Sequence, residues 1–201
     1  MHEAKHAKPQ HPIHELLVKR FSPYGFSDRP VAKADLLSLF EAARWAPSSY
    51  NEQPWTYIVA TREEPEEYAR VHSSLVEGNQ GWAKNAPVLA IGCASLNFVR
   101  NGKPNAAAVH DLGLASANLS VEATARGLCV HQMIGIDRDK VRATFNVPLD
   151  VEPITGLAIG YAADPETLPE PVRQRDTSPR SRKPLSQFVF GGQWGTASKI
   201  L

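Results

Sequence analysis

Ala43-Arg44-Trp45-Ala46-Pro47-Ser48-Ser49-Tyr50-Asn51-Glu52-Gln53-Pro54-Trp55 is the stretch on which the fold turns. Upstream of it, Leu36, Leu37, Phe40, Ala43 and Ala46 recur at helical spacing, which predicts a helix over Lys33–Trp45 with one buried face. Pro47 must end that helix, because its ring removes a backbone donor and clashes with the preceding turn. Downstream, Thr56–Thr61 is β-rich and reads as a strand. Between the two prolines lies a stiff loop that gathers Ser48, Ser49, Asn51 and Gln53, short hydrogen-bonding side chains among exposed backbone donors. Such a loop suits a flat ligand with polar edges. The same residues would also serve a plain helix-to-strand connection whose serines satisfy their own backbone.

Outward from this loop the chain alternates between helical and strand patterns. Glu63–Val76 reads as a charged, half-exposed helix ahead of a turn at Gly78-Asn79, and Val88–Ala94 as a buried strand. From Asn105 to Arg126, Val109, Leu112, Leu114, Leu119 and Val121 are interleaved with alanines and glycine, the pattern of a long helix buried on several sides and able to pack closely on another. Gly127 stops it, Leu128–Met133 reads as a strand, Asp137 caps a helix over Arg138–Phe145, and Ile154–Tyr161 is a last central strand. The alternation favours a layered α/β arrangement. Past Ala162, Pro165, Pro169, Pro171, Pro179 and Pro184 predict an extended arm and no packed helix, with Leu185–Phe190 a candidate strand.

With 201 residues, 42% of them hydrophobic, the chain can bury one substantial core, so a single domain over 1–201 is expected, with a loose N-terminal arm (1–14) and the C-terminal arm (162–201). No run of about 18 apolar residues is present, and the polar, His-rich start lacks the apolar core of a secretory signal, so a cytoplasmic protein with no membrane partner is expected. Cys93 and Cys129 fall in apolar runs, as buried free thiols do in a reducing compartment. His2 and His6 stand four apart, but Pro9 and Pro12 break any helix that would align them with His11 and His14, so no metal is assigned. Five basic residues lie between Arg173 and Lys183. The net charge is only +1, Asp164, Glu166, Glu170 and Asp176 interleave, and no aromatic platform accompanies them, which argues against a nucleic-acid surface.

Four segments in order carry a family resemblance. Ala43–Ser49 with Asn51 and Gln53-Pro54-Trp55 resembles the signature loop of the FMN-dependent nitroreductase family. Arg20-Phe21-Ser22-Pro23-Tyr24-Gly25-Phe26 resembles that family's Arg-x-Ser-x-basic-x-Phe segment. Gln132-Met133-Ile134-Gly135-Ile136-Asp137 resembles its Met-Gly-Gly-Phe-Asp stretch, and Arg180-Ser181-Arg182 its basic pair near the chain end. Together they run from Arg20 to Arg182. The resemblance implies an α+β nitroreductase-like fold, with a central mixed sheet flanked by helices, the long helix at a homodimer interface, and the C-terminal arm reaching onto the partner. It further implies FMN held at its phosphate by Arg20, Ser22, Arg180 and Arg182, with Phe21 and Tyr24 alongside. Pro47, Ser48, Ser49, Asn51 and Asn79 would lie at the ring, and the Met133-Ile134-Gly135 backbone would face N5.

A guanidinium fork and a nearby hydroxyl are chemically apt for phosphate oxygens, and a glycine lets main chain approach a ring closely. The resemblance implies ping-pong hydride transfer from transiently bound NAD(P)H, through FMN, to a small-molecule acceptor such as a nitroaromatic, quinone or activated alkene. No side-chain acid or base is assigned. Tyr24 stands where the family usually has Lys or Arg, and Trp82 roughly where some members carry Lys. Those departures sustain an alternative, a flavin carrier or sensor of the same fold without turnover. Trp82, Phe98 and His110 are candidate pocket walls.

Overall fold

The computed structural model describes residues 3–201, so His2 lies outside the described residues. In chain order it contains α1 (Glu15–Lys19), α2 (Lys33–Arg44), β1 (Trp55–Thr61), α3 (Pro65–Ser73), α4 (Glu77–Ala83), β2 (Val88–Ser95), α5 (Ala108–Ala125), β3 (Cys129–Met133), α6 (Arg138–Phe145), β4 (Val151–Gly160) and α7 (Glu170–Thr177), with short 3-10 turns between.

The four strands form one sheet in the order β1-β2-β4-β3. Every neighbouring pair is antiparallel, not mixed as expected. The reason lies in the connections. The single helix α5 returns the chain so that β3 runs in the direction of β2, and β4, the last strand in sequence, inserts between those two and opposes both. β2 is buried on both faces, as is most of β4, while the edge strand β1 is only half covered. One core forms around Phe21, Phe26, Leu75, Trp82, Ile91 and Val141. A second lies around Leu39, Ala115, Leu119, Leu157 and Ile159, where α2 and α5 cover the sheet.

Two regions depart from the sequence reading. The expected turn at Gly78-Asn79 is the first turn of α4. Its start is fixed from outside, by the bridge between Leu75 and Ile136 and by the Val76 N–H donating to the Gly135 carbonyl at 3.1 Å. The C-terminal arm is not purely extended. Pro171 falls in the first turn of α7, where a missing N–H costs nothing. The candidate strand at 185–190 is a 3-10 turn, Leu185–Gln187, followed by an isolated bridge from Phe190 to Ala197.

Candidate active site

Arg20 ends the turn that follows α1, and Phe21 anchors that turn in the core at 2% exposure, leaving Ser22 outside. Across from them, the C-terminal arm brings Arg180, whose guanidinium donates to the carbonyls of Arg20 and Val18. Arg20, Phe21, Ser22, Arg180 and Arg182 line one cavity of about 170 Å³, joined by Lys5 from the N-terminal segment. Two of the predicted phosphate residues, Arg20 and Ser22, thus meet the other two, Arg180 and Arg182, with 160 residues between Arg20 and Arg180.

No direct ion pair among the described residues neutralises this cavity. None of Lys5, Arg20, Arg180 and Arg182 pairs with a carboxylate among the described residues, and the Nε of Arg180 is buried without a hydrogen-bond partner. Burial first, then the neighbouring Arg182, holds the Arg20 pKa below its ordinary value. Burial followed by Arg20 and Arg182 does the same to Arg180. Both remain cations, so the cluster stores repulsion that an anion would relieve.

Beside this cavity Tyr24 makes edge contacts with Trp82 (centroids 5.1 Å apart) and His131 (4.8 Å), and Arg175 of α7 lies 4.9 Å from its ring centroid. His131 Nδ1 donates to the Pro23 carbonyl at 2.8 Å, and burial pushes its pKa down. Trp82 Nε1 reaches Asn79 Oδ1 at 3.3 Å, and Asn79 Nδ2 donates to the Gly135 carbonyl at 3.0 Å. The predicted residues Asn79, Met133, Ile134 and Gly135 therefore form one connected edge, with Met133 buried and Ile134 projecting 68% exposed. A side chain at Gly135 would force its neighbours to move. A Cβ there would sit 2.4 Å from Asn79 Nδ2 and 2.8 Å from Val76 Cγ2.

Pro47, Ser48, Ser49 and Asn51 are not brought to this edge. Their loop feeds β1, whose Trp55 pairs with Ala94 and, through it, with Glu152, whereas Gly135 follows β3, whose Met133 pairs with Gly156. That places them three strands apart, roughly 14 Å across the sheet, and four residues, roughly 13 Å, along it. Within its own chain the loop is fixed by Asp111. The buried carboxylate (2% exposed) accepts the Ser49 N–H at 2.9 Å and a bond from His110 Nδ1 at 3.0 Å. Ser48 Oγ accepts the Gln53 N–H at 3.0 Å, while Tyr50, Asn51 and Gln53 all adopt positive φ. Three such residues in one loop make its backbone unusual for side-chain-bearing residues. Phe98 packs edge-on against Tyr50 at the loop's outer side, His110 is mostly exposed, and Trp82 is buried.

Lys5, Asp111, His131 and Asp176 escaped the sequence reading. Asp111 had a signal, since it shares the i, i+4, i+8 face with Ala115 and Leu119 and an acid on such a face needs a partner. For Lys5 and Asp176 the sequence carries none.

Residues 17–161 match the Nitroreductase family. The chain belongs to the nitroreductase family. Among solved structures, an oxidoreductase containing FMN superposes with TM-score 0.87 at 33% identity, over 93% of this chain and 95% of that one. The uncharacterized 15.4 kDa protein in ask 5'region of Mycolicibacterium smegmatis is 36% identical over 123 residues, 61% of this chain and 82% of that protein. FMN reductase [NAD(P)H] of Bacillus subtilis strain 168 is 28% identical over 156 residues, 69% of this chain and 61% of that protein.

Proposed function

We propose that this nitroreductase-family chain is an FMN-dependent NAD(P)H oxidoreductase that acts as a homodimer and passes hydride, in ping-pong fashion, to small-molecule acceptors such as nitroaromatics, quinones or activated alkenes. The observation that carries the reading is the cationic cavity of Arg20, Ser22, Arg180 and Arg182 with its orphaned Arg180 Nε, which suits a phosphate monoester dianion in charge. The nearby Asn79–Gly135 edge offers backbone and amide groups to a flat ring. FMN, when bound, supplies the hydride chemistry at its N5.

The chain's own residues bind and orient. Arg20, Ser22, Arg180 and Arg182 would hold the phosphate, and the carboxamide of Asn79 fixes the Gly135 peptide so that the main chain can lie against the ring. Trp82, Tyr24 and His131 pack their rings against one another between the two. No side chain has to gain or lose a proton in this scheme.

The distance of the Pro47–Asn51 loop from Gly135 supports the dimer, because a second copy can bring its loop to the first copy's edge. Exposed Trp45, Tyr50, Val109 and Ile134 supply apolar surface for such a contact. A cytoplasmic setting accords with the two free, buried thiols of Cys93 and Cys129, and no helix among the described residues is long and apolar enough to cross a membrane. The test is the visible spectrum of FMN-reconstituted protein under anaerobic NADPH and then NADH. Flavin bands that bleach support the reductase, persistent bands favour the carrier or sensor reading, and absence of bound flavin overturns both.

A further inference from the structure

We propose that Lys5 is a fourth cationic ligand of the phosphate site, so that the N-terminal segment, outside the span matched to the family, belongs to the cofactor-binding machinery. The inference rests on the FMN reading above and goes beyond it by assigning a group from a part of the chain that the sequence reading treated as a loose arm.

Three observations carry it. First, the segment is held in place. Glu3–Lys5 forms a 3-10 turn, the His6 N–H donates to the Glu3 carbonyl at 2.9 Å, and the Ala7 N–H donates to the Val18 carbonyl at 2.9 Å, next to the Arg20 turn. Second, the side chain lines the same cavity as Arg20, Ser22, Arg180 and Arg182. Third, its donors are underused. An ammonium has three N–H groups, and among the described residues Lys5 Nζ has one hydrogen bond, to the Arg175 carbonyl in the last turn of α7.

The nearby charges explain why the remaining donors turn to a ligand. Asp176 is the acid that acts on Lys5, but its oxygens already accept the Tyr24 and Gly25 N–H groups, while Arg180 opposes the ammonium. Burial and Arg180 lower the Lys5 pKa and Asp176 offsets part of that. A phosphate monoester, carrying nearly two negative charges and three terminal oxygens, meets all four cations at once. The Arg20 guanidinium offers it a planar fork. The lysine, a compact point charge on a flexible stem, can reach an oxygen that fork leaves.

The test is a fluorescence titration of full-length, flavin-free protein with FMN and with riboflavin, which lacks the phosphate, for wild type, K5Q and K5R. Ligation predicts that K5Q weakens FMN about tenfold, the loss of one charge-assisted contact, leaves riboflavin unchanged, and is rescued by K5R. It also predicts that added salt erodes the FMN affinity of wild type more than that of K5Q. Equal weakening of both flavins by K5Q would make Lys5 a structural pin on α7 and overturn the proposal, as would unchanged FMN affinity. Wild-type protein that binds FMN no better than riboflavin would instead overturn the phosphate-site reading itself.

Discussion

The carboxylate of Asp176 accepts the backbone N–H of Gly25 at 2.8 Å, although 151 residues separate them. The same group takes the Tyr24 N–H at 2.9 Å, and Asp176 is 1% exposed. An acid in the last turn of α7 is unfavourable for the helix itself, whose carbonyl end is negative, so its place answers to the Tyr24-Gly25 turn. Leu168 seals the junction, packing where a Gly25 Cβ would fall within 2.5 Å of its methyls. The arm bearing Arg180 and Arg182 is thereby tied to the turn bearing Arg20 and Ser22. Replacing Asp176 with Asn turns one acceptor into a donor facing an N–H. D176N should cost roughly 2 kcal/mol of stability and weaken FMN more than riboflavin, as read by thermal unfolding and flavin titration. Unchanged stability would refute this role.

Gly135 makes a second prediction. With a methyl group at that position Asn79 must move, so G135A should destabilise the fold by about 1–3 kcal/mol, as overpacking does, and loosen flavin binding. Shortening the obstructing side chain in the double variant G135A/N79S should recover part of the stability. If G135A is as stable as wild type in denaturant titration, the contact with Asn79 does not constrain the site.

His131 sets a pH dependence. A histidine titrates near 6.5 in an unfolded chain, and burial lowers His131 in the fold, against opposing effects of the Pro23 carbonyl and Asp176. Below about 6.5 the unfolded chain binds a proton that the folded chain refuses, so this stability is complete above that pH and declines as pH falls toward the lowered value. Thermal unfolding from pH 8 to pH 5 should show a steeper loss in wild type than in H131Q, which keeps a donor for the Pro23 carbonyl. Parallel losses would exclude His131 as the source.

Burial pushes the thiol of Cys93 up to about 11 and that of Cys129 to about 12. Since the thiolate is the reactive form, neither should react with an aromatic disulfide reagent at pH 8 in the folded protein, and both should react in denaturant. Rapid modification of native protein would contradict the burial.

Tyr24 bears on the redox potential. The family resemblance places a cation where Tyr24 stands, and the structure sets the Arg175 guanidinium 4.9 Å from the centroid of that ring. A neutral tyrosine at that position stabilises reduced, anionic flavin less than a cation would. We expect a midpoint below that of free FMN, each ~1.4 kcal/mol corresponding to roughly 30 mV for two electrons. Y24K should raise it. A spectroelectrochemical midpoint at or above that of free FMN would remove the argument.

The sequence by itself determined the elements whose periodicity is strong, α2, β2, α5 and α6, because apolar spacing and helix caps act over a few residues. The arginines and serine proposed for the anion site were singled out by the family resemblance of their segments, since an Arg-x-Ser by itself carries little information. Tertiary structure decided what depends on contacts between distant segments. It placed β4 between β2 and β3, making the sheet antiparallel throughout. It folded α7 from a proline-rich arm, because Asp176 found the Tyr24 and Gly25 donors there. It brought Lys5 to the cavity and kept the Ser49 loop, held by Asp111, at the opposite edge of the sheet from Gly135. A buried carboxylate or a shared cavity is stabilised by partners more than 100 residues away, and no local pattern encodes which donors will arrive.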